Sequence, residues 1–182
     1  MTRHHADRAL CAAIAAGSAI AAIALAISDR PERSVPLFVA AAASVVALFA
    51  PSTAIPRSLF AGAVALDAAL TAGGAFDSFN RGDHAGHFVL TGLLVALLGS
   101  MITFGRTPAT RVLALVGVAA VAGLCWELFE LAADTWLGTD MSIGFRDSAL
   151  DLVADLAGAA VAAWWLVRYG LIWRDPPRTS PL

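Results

Sequence analysis

The side chains that could do chemistry in this sequence are carboxylates and histidines set at helical spacing. Glu127, Glu130 and Asp134 stand at i, i+3 and i+7, and Asp147, Asp151 and Asp155 at i, i+4 and i+8. On helices each set lies on one face. A second polar knot, Asp83-His84-Ala85-Gly86-His87, lies upstream, with Asp83 and His87 one turn apart. Carboxylate oxygens joined by one or two imidazoles suit Mg2+ or Mn2+ better than Zn2+. Asp147, Asp151 and Asp155 are therefore the expected metal ligands. An aspartate that orients a histidine makes an acid–base pair, so His87, Asp83 and Glu127 are the candidate catalytic residues if the site is an enzyme's. Arg146 or Arg81 would clamp phosphate oxygens. Glu130 and Asp67 complete the expected binding set.

Each of these residues also has a plainer reading. The acids could be solvated helix ends with Arg146 and Arg81 as counter-ions, because carboxylates near a membrane interface cost little. That reading fits Asp134, Asp140 and Asp147 better than the deeper Glu127, Asp151 and Asp155. Asp83 could be a helix cap and His87 an interfacial histidine. Asp67 stands inside an apolar run, where an acid is functional by default, or it could bond a neighbouring hydroxyl in its protonated form.

Several chemistries are excluded. All twelve basic residues are arginine, so no lysine Schiff base can form. No HExxH, GxSxG or glycine-rich phosphate loop occurs. The two cysteines, Cys11 and Cys125, lie in apolar segments without metal spacing and are expected to be buried. A net charge of −2 and the lack of a basic patch argue against nucleic acid as partner.

The elements that must position these residues are membrane helices. Of 182 residues 59% are hydrophobic and 14% charged, with mean hydropathy +0.75; a soluble domain carries about 25% charged residues. The expected fold is all-α, a polytopic transmembrane bundle forming one domain, with spans at 9–27, 35–50, 59–76, 87–104, 112–131 and 148–171. The first is read as a retained signal-anchor helix, since its apolar run exceeds a signal-peptide core and further spans follow. The second, of sixteen residues, would rise only about 24 Å. Asp147 is placed to cap the last helix. Residues 172–182 read as a disordered cytoplasmic tail.

With the N-terminus in the cytoplasm and six crossings, Arg3, Arg8, Arg57, Arg106, Arg111, Arg168, Arg174 and Arg178 fall inside. Arg30, Arg33, Arg81 and Arg146 fall outside, which fits the positive-inside bias. Both termini are then cytoplasmic, and the three polar clusters share the outer leaflet of the inner or plasma membrane. Trp164, Trp165, Tyr169 and Trp173 suit the inner interface; Trp126, Trp136 and Phe88 suit the outer one. Ala154, Gly158 and Ala162 form a small-residue face suited to close helix packing.

Asp83-x3-His87-Phe88, Glu127-x2-Glu130 and Arg146-x4-Asp151-x3-Asp155-x2-Gly158 together resemble the VanZ-like membrane proteins. Glu130 stands where those proteins tend to have Gln, and Asp155 where they tend to have Asn. The two glutamates, Leu137-Gly138-Thr139 and Asp147-x3-Asp151 look closer to the YjdF-like inner-membrane family. The resemblance spans about residues 76–170. It implies a polytopic helical fold and an envelope location; a lipid-linked or cell-wall-related ligand is the expected partner besides the bilayer.

The leading expectation is an envelope protein that binds or processes a polar or phosphorylated lipid-linked ligand through a divalent metal. One alternative is a proton- or ion-coupled carrier. Another is a structural bundle with ion-paired helix ends. The bilayer is the one certain partner; the oligomeric state stays open.

Overall fold

Proline and glycine punctuate the chain where its helices begin and end. Pro31 opens a 3-10 turn, Pro56 precedes a helix, and Pro108 occupies the first turn of another. There its missing N–H costs nothing. Gly138 ends that helix in the left-handed conformation, with φ 67°. The computed structural model describes residues 3–28, 30–50, 54–75, 82–99, 107–139, 141, 144–169 and 171. The helices are α1 (Arg3–Ala26), α2 (Ser34–Phe49), α3 (Arg57–Ala72), α4 (Gly82–Leu98), α5 (Pro108–Leu137) and α6 (Phe145–Arg168). The fold is an all-α helical bundle, as expected, with no strand among the described residues.

Among the described residues four segments are long and apolar enough to cross a membrane: α1, Pro31–Phe49, α5 and α6. α4 is a shorter apolar helix, and α3, with sixteen residues, rises only about 24 Å. The outer surface is apolar: Ile20 is 68% exposed, Phe49 78% and Leu113 70%. Inside lie Glu127, Glu130, Asp151 and Asp155. A protein in water buries such apolar groups and exposes such acids; in a bilayer this inside-out arrangement is the stable one.

The six helices sort into two halves. α1, α2 and α3 pack on one another, α4 and α5 pack on α6, and the join between α3 and α4 is thin. α4 lies closest to α6. A Cβ on Gly158 would overlap the backbone carbonyl of Phe88, and one on Gly92 would meet the carbonyl oxygen of Gly158 at 3.3 Å. Only glycine permits this approach. The small-residue face foreseen on the last helix is thus centred on Gly158. Below it Val95, Leu115, Ala119, Ala159, Ala163 and Leu166 form one core cluster.

Some boundaries differ from expectation. α4 starts at Gly82, so Asp83 and His84 sit in its first turn rather than in a loop. α5 continues to Leu137, which leaves Glu127 and Glu130 well inside it. Asp147 does not cap α6. Gly144 is the N-cap residue, with φ 120°, and makes no side-chain cap bond; Asp147 lies in the first turn, where its charge favours the helix dipole. Cys11 is buried but Cys125 is exposed, because its side of α5 faces outward. The expected tail at 172–182 lies outside the described residues, as do Arg81, Arg106, Asp140 and Trp173.

α3 is tied down at both ends. Asp7, in α1, accepts hydrogen bonds from the backbone N–H groups of Arg57 (3.2 Å) and Ser58 (3.0 Å) and from the Ser58 hydroxyl (2.6 Å). It also pairs with the Arg57 guanidinium at 3.5 Å. At the other end Arg33 donates to the carbonyl of Ala72 at 3.0 Å. An anion at the N-terminus and a cation at the C-terminus both suit the helix dipole. Asp7→Ala removes a cap supplied from another helix, a loss of about 0.5–2 kcal/mol. A lower melting temperature in detergent, restored in part by Asp7→Asn, is the expected result.

Candidate functional site

The packing of α4 on α6 pairs two histidines with two aspartates in matching register. His84 and His87 are one turn apart on α4; Asp151 and Asp155 are one turn apart on α6. His84 Nδ1 lies 2.5 Å from Asp151 Oδ1, and His87 Nδ1 lies 3.3 Å from Asp155 Oδ1. The Thr91 hydroxyl also donates to Asp155 Oδ1, at 2.5 Å. Both aspartates are only 2% exposed. With Nδ1–H given to a carboxylate, each ring leaves Nε2 as its acceptor or ligand atom. The Nε2 of His84 stands 3.9 Å from Asp147 Oδ1, too far for a hydrogen bond.

Asp83 joins this group from the first turn of α4. The ligand atoms of Asp83, His87 and Asp151 lie within 4.8 Å of one another, and so do those of His84, Asp147 and Asp151. Asp151 belongs to both trios. Glu127 enters from α5. It lies beside Ser148 and within electrostatic reach of His87, Asp151 and Asp155, yet without hydrogen-bond geometry to Ser148. Both its oxygens are buried and without a hydrogen-bond partner. A buried carboxylate left in this way is costly, which makes Glu127 the least satisfied group in the cluster.

Beside the cluster, in the seam between the two halves, is a cavity of about 390 Å³. Asp67, Asp83, His87, Glu130 and Asp155 line its polar end, and Val39, Val64, Leu90 and Leu94 are among its apolar walls. Trp126 lines it too, donating its indole N–H to Glu130 Oε1 at 2.7 Å. The side chain of Asp67 reaches across the seam to α4, where it would touch any Cβ placed on Gly86. The volume falls within the range of small-molecule sites, and among the described lining residues the acids outnumber the one imidazole.

Of the residues singled out by spacing, Asp83, His87, Glu127, Asp147, Asp151 and Asp155 thus meet at one end of the α4–α5–α6 half. Glu130 and Asp67 meet them across the cavity. Arg146 does not join them: it is exposed in the first turn of α6 and does not line the cavity. Asp134 serves the loop after α5, accepting from the Thr139 hydroxyl and the Met141 N–H. Three contributors went unassigned in the sequence. His84 carries a signal there, the i, i+3 spacing to His87. Trp126, expected at the membrane interface, turns inward to Glu130, four residues on; Thr91 follows His87 by one turn.

A family model described as Predicted membrane protein (DUF2238) matches residues 12–171 of the chain. No curated protein and no solved structure matches it.

Proposed function

The chain belongs to the DUF2238 family of predicted membrane proteins, and we propose that its acid–histidine cluster binds a divalent cation inside the bilayer. The observation that carries this reading is the meeting of Asp83, His87 and Asp151 beside Glu127, whose two buried oxygens lack partners. Several carboxylates at close range repel one another, and a cation relieves that repulsion. One imidazole with two carboxylates suits Mn2+ better than the all-oxygen preference of Mg2+. In this reading His87 is a ligand rather than an acid–base group, because Asp155 holds its other nitrogen. Asp155 then acts by orienting the ring.

The adjoining cavity supports an amphiphilic ligand, its polar or phosphorylated head meeting the cation and its apolar part lying along Val39, Val64, Leu90 and Leu94. The cation supplies the charge that a phosphate needs in a cavity lined by acids. If the site is catalytic, transfer or hydrolysis at a phosphate is the reaction class. The motif resemblance to VanZ-like and YjdF-like proteins favours an envelope ligand and an inner-membrane location. The arginine distribution favours six crossings with both termini in the cytoplasm.

A second reading, an ion- or proton-coupled carrier, has its own observation. The cavity lies between two three-helix halves, with Asp67 contributed by one half and the acid–histidine cluster by the other. Carriers commonly place their sites between such halves. Calorimetric titration of Mn2+ into wild type and Asp67→Asn in detergent, with ion flux measured in proteoliposomes, tests both readings. The cation-site reading expects saturable Mn2+ binding, unchanged within about twofold in Asp67→Asn (about 0.4 kcal/mol), and no flux. Flux in wild type that Asp67→Asn abolishes would overturn it in favour of the carrier.

A further inference from the structure

We propose that Glu130 seats an ammonium group, and that the ligand of the cavity is an amphiphile whose head carries a primary amine beside its phosphate. The inference rests on the cation site proposed above, which holds the phosphate, and names the class of ligand that the cavity takes.

Glu130 stands apart from the cation cluster. It comes from α5, belongs to neither ligand trio, is 7% exposed and lines the cavity. Among the described residues four carboxylates line that space: Asp67, Asp83, Glu130 and Asp155. Two of them are engaged. Asp83 belongs to the trio with His87 and Asp151, and Asp155 accepts from the Thr91 hydroxyl and holds the His87 ring. Glu130 accepts one hydrogen bond among the described residues, from the Trp126 indole to Oε1. That bond spans one turn of α5 and fixes the carboxylate, while Oε2 keeps its capacity to accept.

A carboxylate held in a buried cavity wall with an oxygen to spare calls for a donor. A hydroxyl would supply the hydrogen bond alone; an ammonium supplies the bond and the opposite charge together. Trp126 lines the same cavity, and an indole is the aromatic ring best suited to a neighbouring cation. Asp67, from the other half of the bundle, adds a second carboxylate to the space. The placement explains why amine and phosphate belong on one head. Glu130 lies within electrostatic reach of Asp83 and His87, the two members of the trio that line the cavity. A phosphate drawn to a cation there has the Glu130 carboxylate as its neighbour. A head of phosphate alone would set one anion against the other, whereas an amine on the same head turns that repulsion into a bond.

The test titrates the Mn2+-loaded full chain in detergent with dihexanoyl phosphatidylethanolamine and dihexanoyl phosphatidylglycerol. The two share their chains and a phosphodiester; one carries an ammonium, the other hydroxyls. The ethanolamine probe is expected to bind wild type about tenfold or more tighter than the glycerol probe. Glu130→Gln is expected to erase that preference while leaving the affinity for the glycerol probe within about twofold. Equal affinities in wild type would overturn the ammonium seat and leave the cation and its phosphate standing. Binding of neither probe would overturn both. Ethanolamine binding that survives removal of Mn2+ but is lost in Glu130→Gln would support the seat and take the cation out of the account. Glycerophosphoethanolamine, the same head without chains, binding as tightly as the lipid probe would overturn the amphiphile in favour of a water-borne ligand. Should Glu130→Gln fail to fold, the wild-type preference between the two lipid probes decides the matter alone.

Discussion

Asp151→Asn is expected to abolish divalent-cation binding while leaving the metal-free fold intact or more stable. Asp151 is 2% exposed, belongs to both ligand trios and holds the His84 ring. Losing even a residue that only orients a metal ligand weakens affinity about 10–100-fold, so the loss here is expected to be at least about 100-fold. Thermal unfolding with and without Mn2+ gives the check. At Mn2+ about 100-fold above Kd the wild type gains about 2.7 kcal/mol, and the variant is expected to gain nothing. The sign in the metal-free state separates the readings. If the acids form a metal site, removing one charge from a repelling cluster raises the metal-free melting temperature or leaves it unchanged. If they only staple helix ends, Asp151→Asn replaces the charge-assisted bond to His84 by a weaker neutral one and lowers it.

The other large effect is expected at Gly158. A side chain there must displace the backbone of Phe88, since no flexible side chain is present to give way. Forced overpacking costs about 1–3 kcal/mol, and Gly158→Val should fall at the upper end. The same displacement carries α4 away from α6 and separates His84 from Asp151 and His87 from Asp155. The variant is therefore expected to lose thermal stability and cation binding together. Gly117, exposed on α5 with no atom within 4 Å of an added Cβ, supplies the control. Gly117→Val should change stability by no more than about 0.5 kcal/mol. A Gly158→Val protein as stable as wild type would contradict the close α4–α6 approach on which the site depends.

The helical class and the location of the acids were legible because they rest on composition and on a period of 3.6 residues. Asp147, Asp151 and Asp155 share a face at any packing angle, and so do His84 and His87. Spacing says which residues face together, not what they face. Nothing local to Asp151 names His84 as its partner, because that pairing depends on how near Gly158 lets α4 come. Asp7 shows the same limit. Its chain neighbours make it look like a solvated terminal residue, and its partners lie fifty positions away on α3. The start of α4 was misplaced because Gly82 and Asp83 read locally as loop residues, although the helix absorbs both. Arg146 was expected as a phosphate clamp, but neighbouring residues on a helix point about 100° apart, and Arg146, next to Asp147, is exposed.

The central claim is that the acid–histidine cluster binds a cation, and anomalous diffraction at the manganese edge tests it most directly. Crystals of the Mn2+-loaded full chain are predicted to show an anomalous peak bounded by Asp83, His87 and Asp151, absent from Asp151→Asn crystals grown alike. A well-ordered cluster with no anomalous peak, or manganese found only outside the cluster, would contradict it.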